Sequence, residues 1–234
     1  MVEFPAEIVE MYKDFKPAHQ KIYRIIKDSI YSGKLQTKEK FTEEAIAKAL
    51  GCSRTPVRTA LQKLQADGLL QNVTRNNYGL KVFSEKEIRD LMELDQLLEG
   101  RAAYLAAQRG ISEDDMETLE EINDMLGTYE DFKARPSGAY GDGARDLHTE
   151  FHMLIGKLSG NQFLYKEIVT VLKQVRSLRL EAVNDANVER RSLLVDSGLH
   201  RNILEAIRDR DPSRAELMIR YEIDQCHMLY RNGK

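Results

Sequence analysis

The sequence predicts a mainly α-helical fold, in which an N-terminal winged helix-turn-helix precedes an all-α antiparallel helical bundle. Three observations predict it. Two short helix patterns flank a glycine-containing turn, two short apolar stretches follow them, and the rest of the chain carries amphipathic helix patterns without a strand pattern. We therefore expect a winged helix-turn-helix domain at 1–83, with an N-terminal extension at 1–18, and an all-helical domain at 84–234.

The helix-turn-helix is predicted between residues 19 and 68. Residues 19–32 place isoleucines at helical spacing. Thr42 is a favourable N-cap for the helix EEAIAKAL, and Gly51 ends that helix. Ser53 is the expected N-cap of the next helix, which runs to Gly68. Two short helices across a tight turn are typical of a helix-turn-helix.

A small antiparallel hairpin is expected next, because residues 69–73 and 78–83 are short apolar stretches on either side of the turn-rich segment TRNN. From His19 to Phe83 there are 12 Lys and Arg against 5 Asp and Glu, although the whole chain has a formal net charge of -3. Positive charge concentrated on one small domain favours contacts with nucleic-acid phosphates.

Long amphipathic helices are predicted beyond residue 83. Ser84 and Glu87 form a capping box that opens a helix to about Gly110, and Ser112 opens another towards Ala134. The segment RPSGAYGDG is expected to be a loop. Further helices are predicted at 144–158, 161–182, 191–210 and 212–230.

The composition, 42% hydrophobic and 31% charged, indicates a soluble globular protein. No apolar run reaches the roughly 20 residues that span a bilayer. The first residues, MVEFPAEIVEMYKDFK, are acidic where a signal peptide would be basic. We therefore expect a cytoplasmic protein without a membrane partner.

The stretch FTEEAIAKALGCSRTPVRTALQKLQADGLL, followed by a segment ending in YGLKV, resembles the DNA-binding domain of GntR family transcription regulators. HTEFH, SGN and the H..IL.AI spacing in the helical part look like the FCD effector-binding domain of the FadR subfamily. The resemblance implies a bacterial homodimer that binds a palindromic double-stranded DNA operator, with repression the favoured sign.

Arg54, Thr55 and Arg58 lie at the N-terminal end of the second helix, which enters the major groove in this motif. An arginine there can contact guanine O6 and N7 together. The resemblance implies that these three residues and Gly79 of the wing bind DNA. One departure is Thr42-Glu43-Glu44, where many family members carry a basic residue that contacts DNA.

His148 and His152 are four residues apart on one predicted helix, so both imidazoles project from one face. In the metal-binding FCD subgroup an Asp and a His at this spacing combine with two later histidines. The matching positions here are His148, His152, His200 and Glu222, so a histidine and a carboxylate have exchanged places. Such a set suits zinc, nickel or manganese.

The resemblance implies a small organic acid, sugar acid or lipid-derived metabolite as the effector, and Arg101, Arg176 and Arg179 are candidate partners for an acidic effector. An arginine often stands in the family where this chain has Asp95. Two alternatives stay open: a metal-responsive regulator in which the ion itself is the signal, and a metal-dependent hydrolase or lyase. The helices supply no nucleophile and no glycine-rich phosphate loop, and the basic winged domain would have no purpose in an enzyme.

Overall fold

A computed structural model describes residues 2–31, 35, 40–127, 147–182 and 198–231. The chain divides into two compact units between Val82 and Phe83. The fold class agrees with the prediction: helices dominate, and a two-stranded sheet follows the helix-turn-helix. The predicted loop RPSGAYGDG lies outside the described residues, as do parts of the helices predicted at 112–134, 144–158 and 191–210.

Four helices open the first unit: α1 (Ala6–Met11), α2 (Ala18–Tyr31), α3 (Glu43–Ala49) and α4 (Arg54–Ala66). The Thr42 side chain accepts a hydrogen bond from the Ala45 amide and so caps α3. Gly51 has a φ of +61°, which lets the chain turn sharply between α3 and α4. Helix α4 packs on α2 through fully buried apolar side chains, among them Ile26, Val57 and Leu61.

Helix α1 was not predicted, because the sequence suggested only an extension at 1–18. Ile8 and Tyr12 are buried against Ile25 of α2. The Tyr12 hydroxyl also donates a hydrogen bond of 2.6 Å to the buried Asp28 carboxylate. A six-residue helix is too short to show a clear period in the sequence, so its apolar contacts with α2 are what hold it.

The wing consists of β1 (Leu70–Thr74) and β2 (Asn77–Leu80), which pair antiparallel. Thr74 pairs with Asn77, so Arg75 and Asn76 form the turn. Phe41, just before α3, forms a further bridge with Tyr78, with backbone hydrogen bonds of 3.0 and 2.9 Å. The wing is thereby tied to the start of the helix-turn-helix.

The second unit begins with α5 (Glu85–Arg109) and α6 (Glu113–Gly127), followed by α7 (Leu147–Leu158) and α8 (Gln162–Ala182). A helical segment at 198–208, here α9, and α10 (Pro212–Arg231) complete it. The predicted capping box is present: Ser84 accepts from the Glu87 amide while the Glu87 side chain accepts from the Ser84 amide. Asp211 accepts from the Arg214 amide at 3.0 Å and caps α10.

Helices α5 and α10 form the most extensive pair of the second unit and run antiparallel, because Gln96 bonds Asp224 whereas Gly100 lies against Glu216 and Arg220. A Cβ at Gly100 would lie only 3.1 Å from the Arg220 side chain, so a small residue is needed for this close approach. The main apolar core lies among α5, α6, α7, α9 and α10. None of the described helices is long and apolar enough to cross a membrane.

Candidate metal centre and nucleic-acid interface

Four buried side chains from three helical segments of the second unit form one candidate site. His148 and His152 lie one turn apart on α7, so both rings project from the same face. His200 lies on α9 and Glu222 on α10. The structure thus brings together all four residues that the sequence proposed as metal ligands.

The Nε2 atoms of the three histidines converge on the Glu222 carboxylate. His148 Nε2 lies 2.9 Å from Oε1 of Glu222 and His152 Nε2 lies 3.6 Å from Oε2. His200 Nε2 lies 3.9 Å from Oε1. One nitrogen or oxygen atom from each residue falls within 4.8 Å of the others. One ion at about 2 Å from each donor would fit such a group.

Burial and ring packing hold the four candidate ligand side chains in place. The exposed fraction is 7% for His148, 1% for His152 and 0% for His200 and Glu222. The Phe151 ring stacks on the His200 ring, with a centroid separation of 3.8 Å and an interplanar angle of 5°. The donors are therefore held close together in a largely dry environment, where charge interactions are strong.

A fifth buried residue, Glu99 of α5, supports the cluster, and the sequence analysis missed it. Its Oε2 atom lies 2.5 Å from Nδ1 of His152. A carboxylate that accepts the Nδ1 proton leaves the Nε2 lone pair of the ring for a metal ion. Asp95, one turn earlier on α5, is also buried, and it lies close enough to Glu99 to interact with its carboxyl group. An acid pair at i and i+4 among the apolar residues of α5 was the signal available in the sequence.

Two carboxyl groups here respond to their surroundings in opposite ways. Burial alone would raise the pKa of the Glu222 carboxyl, but the three histidines, His152 most, outweigh burial and hold that pKa far below its usual range. Burial raises the pKa of Asp95 well above its ordinary value, and nearby Glu99 raises it further. The Glu222 carboxyl is therefore ionised, and its oxygens can ligate a cation when the three histidines are neutral.

Three imidazole nitrogens and one carboxylate form a donor set that suits zinc, nickel or manganese. The order of residue types differs from the Asp-His-His-His arrangement that the resemblance implies. The exchange keeps the number and kind of donors, and the four residues remain adjacent in the fold. The residues present therefore fit a divalent ion.

The three arginines proposed for the effector differ in their surroundings. Arg101 is exposed, and its guanidinium lies 4.4 Å from the centroid of the Tyr104 ring. The structure thus places Arg101 at the surface of α5, apart from the buried histidines. Arg176 is half-buried on α8. The structure does not describe the side chain of Arg179, and the effector roles of Arg101, Arg176 and Arg179 stay predictions.

A second candidate site lies on the first unit, at the N-terminal end of α4. Arg54, Thr55 and Arg58 are exposed there. Ser53 occupies the N-cap position in extended conformation, without a side-chain capping bond. The free first-turn amides of a helix favour anions. This end of α4 can therefore meet both phosphates and base edges.

Glu43 of α3 links the two arginines. Its carboxylate accepts hydrogen bonds from Nε and Nη2 of Arg58, each at 2.9 Å, and from Nη2 of Arg54 at 3.1 Å. Hydrogen bonds from Arg58 hold the pKa of the Glu43 carboxyl below its usual range, and Arg54 contributes in the same direction. The same bonds raise the pKa of Arg58.

The wing forms the other wall of a cleft beside these arginines. Arg75 and Asn76 of the wing turn line it together with Tyr78, and Thr42, Glu43, Glu44, Arg54 and Arg58 line the side of the helices. Gly79, the predicted wing contact, is buried within β2 and pairs with Gln71. Arg75, which the sequence analysis did not single out, is an exposed residue of the wing turn that can contact DNA, and the role of Gly79 in DNA binding stays a prediction.

Comparisons with known families match both units. The family "Bacterial regulatory proteins, gntR family" matches residues 18–78. The FCD domain family matches residues 90–225. The two matches follow one another along the chain, and the second alone spans more than half of it.

Two curated transcription regulators are similar to this chain over most of their length. The chain is 27% identical over 208 residues to the uncharacterized HTH-type transcriptional regulator YdhC of Bacillus subtilis, covering 87% of this chain and 88% of that protein. It is 28% identical over 198 residues to the Nta operon transcriptional regulator of Aminobacter aminovorans, covering 83% and 88%.

The fold is also found among solved structures. A GntR transcriptional regulator from Rhodococcus sp. RHA1 superposes with a TM-score of 0.73 at 16% identity, covering 92% of this chain and 97% of that one. At this level of identity the likeness concerns the fold.

Proposed function

This chain belongs to the gntR family of bacterial regulatory proteins and carries an FCD domain. We propose that a small organic or sugar acid controls its DNA binding through a buried metal centre. The chain is a DNA-binding transcription regulator, as its relatives are, and it is not an enzyme. We assign DNA binding to 1–83 and effector sensing with dimerisation to 84–234.

The proposed centre uses Nε2 of His148, His152 and His200 and the Glu222 carboxylate as ligands. Glu99 orients His152 through the Nδ1 contact. Zinc, nickel or manganese bound there would supply a Lewis-acidic anchor for an anionic ligand. The observation that carries the proposal is the convergence of four buried donors from three helical segments.

Effector control is proposed to pass through α5. This helix carries Glu99 and begins at Glu85, a few residues after the wing strand β2 ends at Leu80. A ligand that shifts α5 by binding one arrangement better than another changes the population of DNA-binding states. Arg101 of α5 and Arg176 and Arg179 of α8 remain the proposed partners for an acidic effector.

We further propose a cytoplasmic homodimer that reads a palindromic operator. Two copies of α4 related by a two-fold axis match two half-sites in successive major grooves. Repression is the proposed sign, because a dimer bound across a promoter excludes the polymerase.

The second candidate function is a metal-responsive regulator in which the ion itself is the signal. The near-complete burial of all four ligands favours it, since a closed site leaves little room for an organic ligand beside the ion. Operator binding that depends on the metal alone, in the absence of any organic acid, would support this alternative. Metal-loaded protein that releases DNA only when an organic acid is added would favour the effector-controlled function.

The first test is elemental analysis of untagged protein purified without chelator, as wild type and as Glu222→Gln and His152→Ala variants. We expect near-stoichiometric metal in the wild type and its loss in both variants. His19→Ala is the matched control, because His19 lies on α2 in the other unit. Wild-type protein that takes up no zinc, nickel or manganese on addition would refute the metal centre and leave the DNA-binding function standing.

A further inference from the structure

In the first unit, the Glu43 carboxylate is bonded to two exposed arginines, Arg54 and Arg58, at the N-terminal end of α4. The Glu43 side chain is only 12% exposed, whereas the side chains of Arg54 and Arg58 are 60% and 57% exposed. Three hydrogen bonds join the Glu43 carboxylate to these two arginines. The arginines that should meet DNA are thus already paired with an anion in the free protein.

Pairing with a carboxylate changes which DNA groups an arginine prefers. A phosphate is attracted by the net positive charge of its partner, and that attraction is independent of sequence. Guanine is neutral and is recognised through hydrogen bonds to O6 and N7. A neighbouring carboxylate therefore weakens binding to phosphates more than binding to guanine.

The geometry of Arg58 leaves one edge of its guanidinium for a base. Glu43 accepts from Nε and Nη2, which form one edge of the planar group. A guanidinium has five N–H donors, so the edge formed by Nη1 and the second hydrogen of Nη2 can still donate two bonds. Two donors on one edge are what bidentate contact with guanine requires.

We propose that Glu43 is a positioning residue that determines specificity, because it orients Arg54 and Arg58 towards base edges and reduces their attraction for phosphates. A purely structural role for Glu43 would explain its bonds to both arginines less well. Ion pairs to such exposed arginines add little to stability, and Thr42 already caps α3.

The experiment compares Glu43→Gln with Glu44→Gln in the full-length protein. Both substitutions remove one negative charge from the same cleft, but the three guanidinium bonds go to Glu43. The specific probe is a duplex selected by the wild type from a random-sequence library, and the nonspecific probe is a scrambled duplex of the same length. Affinities are measured by fluorescence anisotropy over a series of salt concentrations, and circular dichroism checks that each variant folds.

We expect Glu43→Gln to bind the scrambled duplex more tightly, with the slope of log K against log salt concentration steeper by about one. Discrimination between the two duplexes should fall by about tenfold or more, as expected when one bidentate base contact is lost. Glu44→Gln should strengthen binding to both duplexes by a similar factor and preserve discrimination. Equal effects of the two substitutions, or a Glu43→Gln protein that keeps wild-type discrimination, would overturn the proposal. Failure of the wild type to select any sequence would overturn it together with sequence-specific DNA binding.

Discussion

The Oε2 atom of Glu99 lies 2.5 Å from Nδ1 of His152, and both side chains are at least 98% buried. This contact leaves Nε2, which faces Glu222, as the nitrogen of His152 that is available to a metal ion. Glu99 comes from α5 and His152 from α7, so the relationship ties the proposed centre to the helix that follows the wing.

Replacing Glu99 by glutamine should weaken metal binding while it preserves the shape of the site. The amide oxygen still accepts from Nδ1, but the neutral group no longer increases the basicity of the imidazole. We expect the dissociation constant for zinc to rise by about 10- to 100-fold. Competition with a chromophoric chelator measures it. Glu93→Gln, an exposed change on the same helix, is the control, and equal affinity in the two variants would exclude the orienting role of Glu99.

The parts of this fold that the sequence could predict rest on local signals. Thr42, the Ser84–Glu87 box and Asp211 cap helices through residues at most three positions away, so the chain order alone reveals them. The histidine cluster was predictable because His148 and His152 share a helix face and the resemblance supplied the two distant members.

Other features depend on contacts between residues far apart in the chain. Glu99 and Asp95 could not be placed beside His152 without knowing how α5 packs on α7. The wing register was equally hidden: pairing of Thr74 with Asn77 puts Arg75 at the turn and Gly79 inside the strand. A one-residue shift in pairing would have exchanged the exposed and buried faces of the wing.

Asp95→Asn should stabilise the metal-free protein in a pH-dependent way. Burial, and then Glu99, raise the folded-state pKa of Asp95, so the folded state keeps a proton that the unfolded state loses above pH about 4. The wild type therefore loses stability as the pH rises from the unfolded-state pKa to the folded-state pKa. Asparagine has no such cost, so we expect Asp95→Asn to be more stable than the wild type near pH 8, with an advantage that grows as the pH rises above about 4.

Urea unfolding at several pH values, with chelator present, measures this difference. The advantage of Asp95→Asn should shrink towards zero as the pH falls to about 4. Glu93→Gln should follow the wild-type curve because Glu93 is exposed. A variant that is less stable than the wild type at every pH would show that the buried carboxyl is required structurally.

Leu97→Glu should disrupt the proposed dimer. Leu97 is 61% exposed on α5, and the neighbouring helix α10 exposes Leu217 at 61% and Tyr221 at 49%. Large exposed apolar side chains on two packed helices are typical of an interface. Light scattering after size-exclusion chromatography should show a dimer for the wild type and a monomer for the variant. Phe163→Glu, which changes an 82% exposed residue on α8, should remain dimeric; a Leu97→Glu dimer would place the interface elsewhere.

Arg58→Ala and Arg75→Ala should weaken DNA binding in different ways. Arg58 lies on the helix expected in the major groove, so its loss should cost about 1 to 3 kcal/mol of binding free energy on the selected duplex and relax base preference at one position.

Arg75 lies at the wing turn and is expected to contact a phosphate. Its loss should weaken binding to selected and scrambled duplexes by a similar factor and make the salt dependence less steep by about one. Anisotropy titrations on both duplexes separate the two roles, because only a base contact changes their ratio. An Arg58→Ala protein with wild-type affinity and selectivity would show that α4 is not the recognition helix.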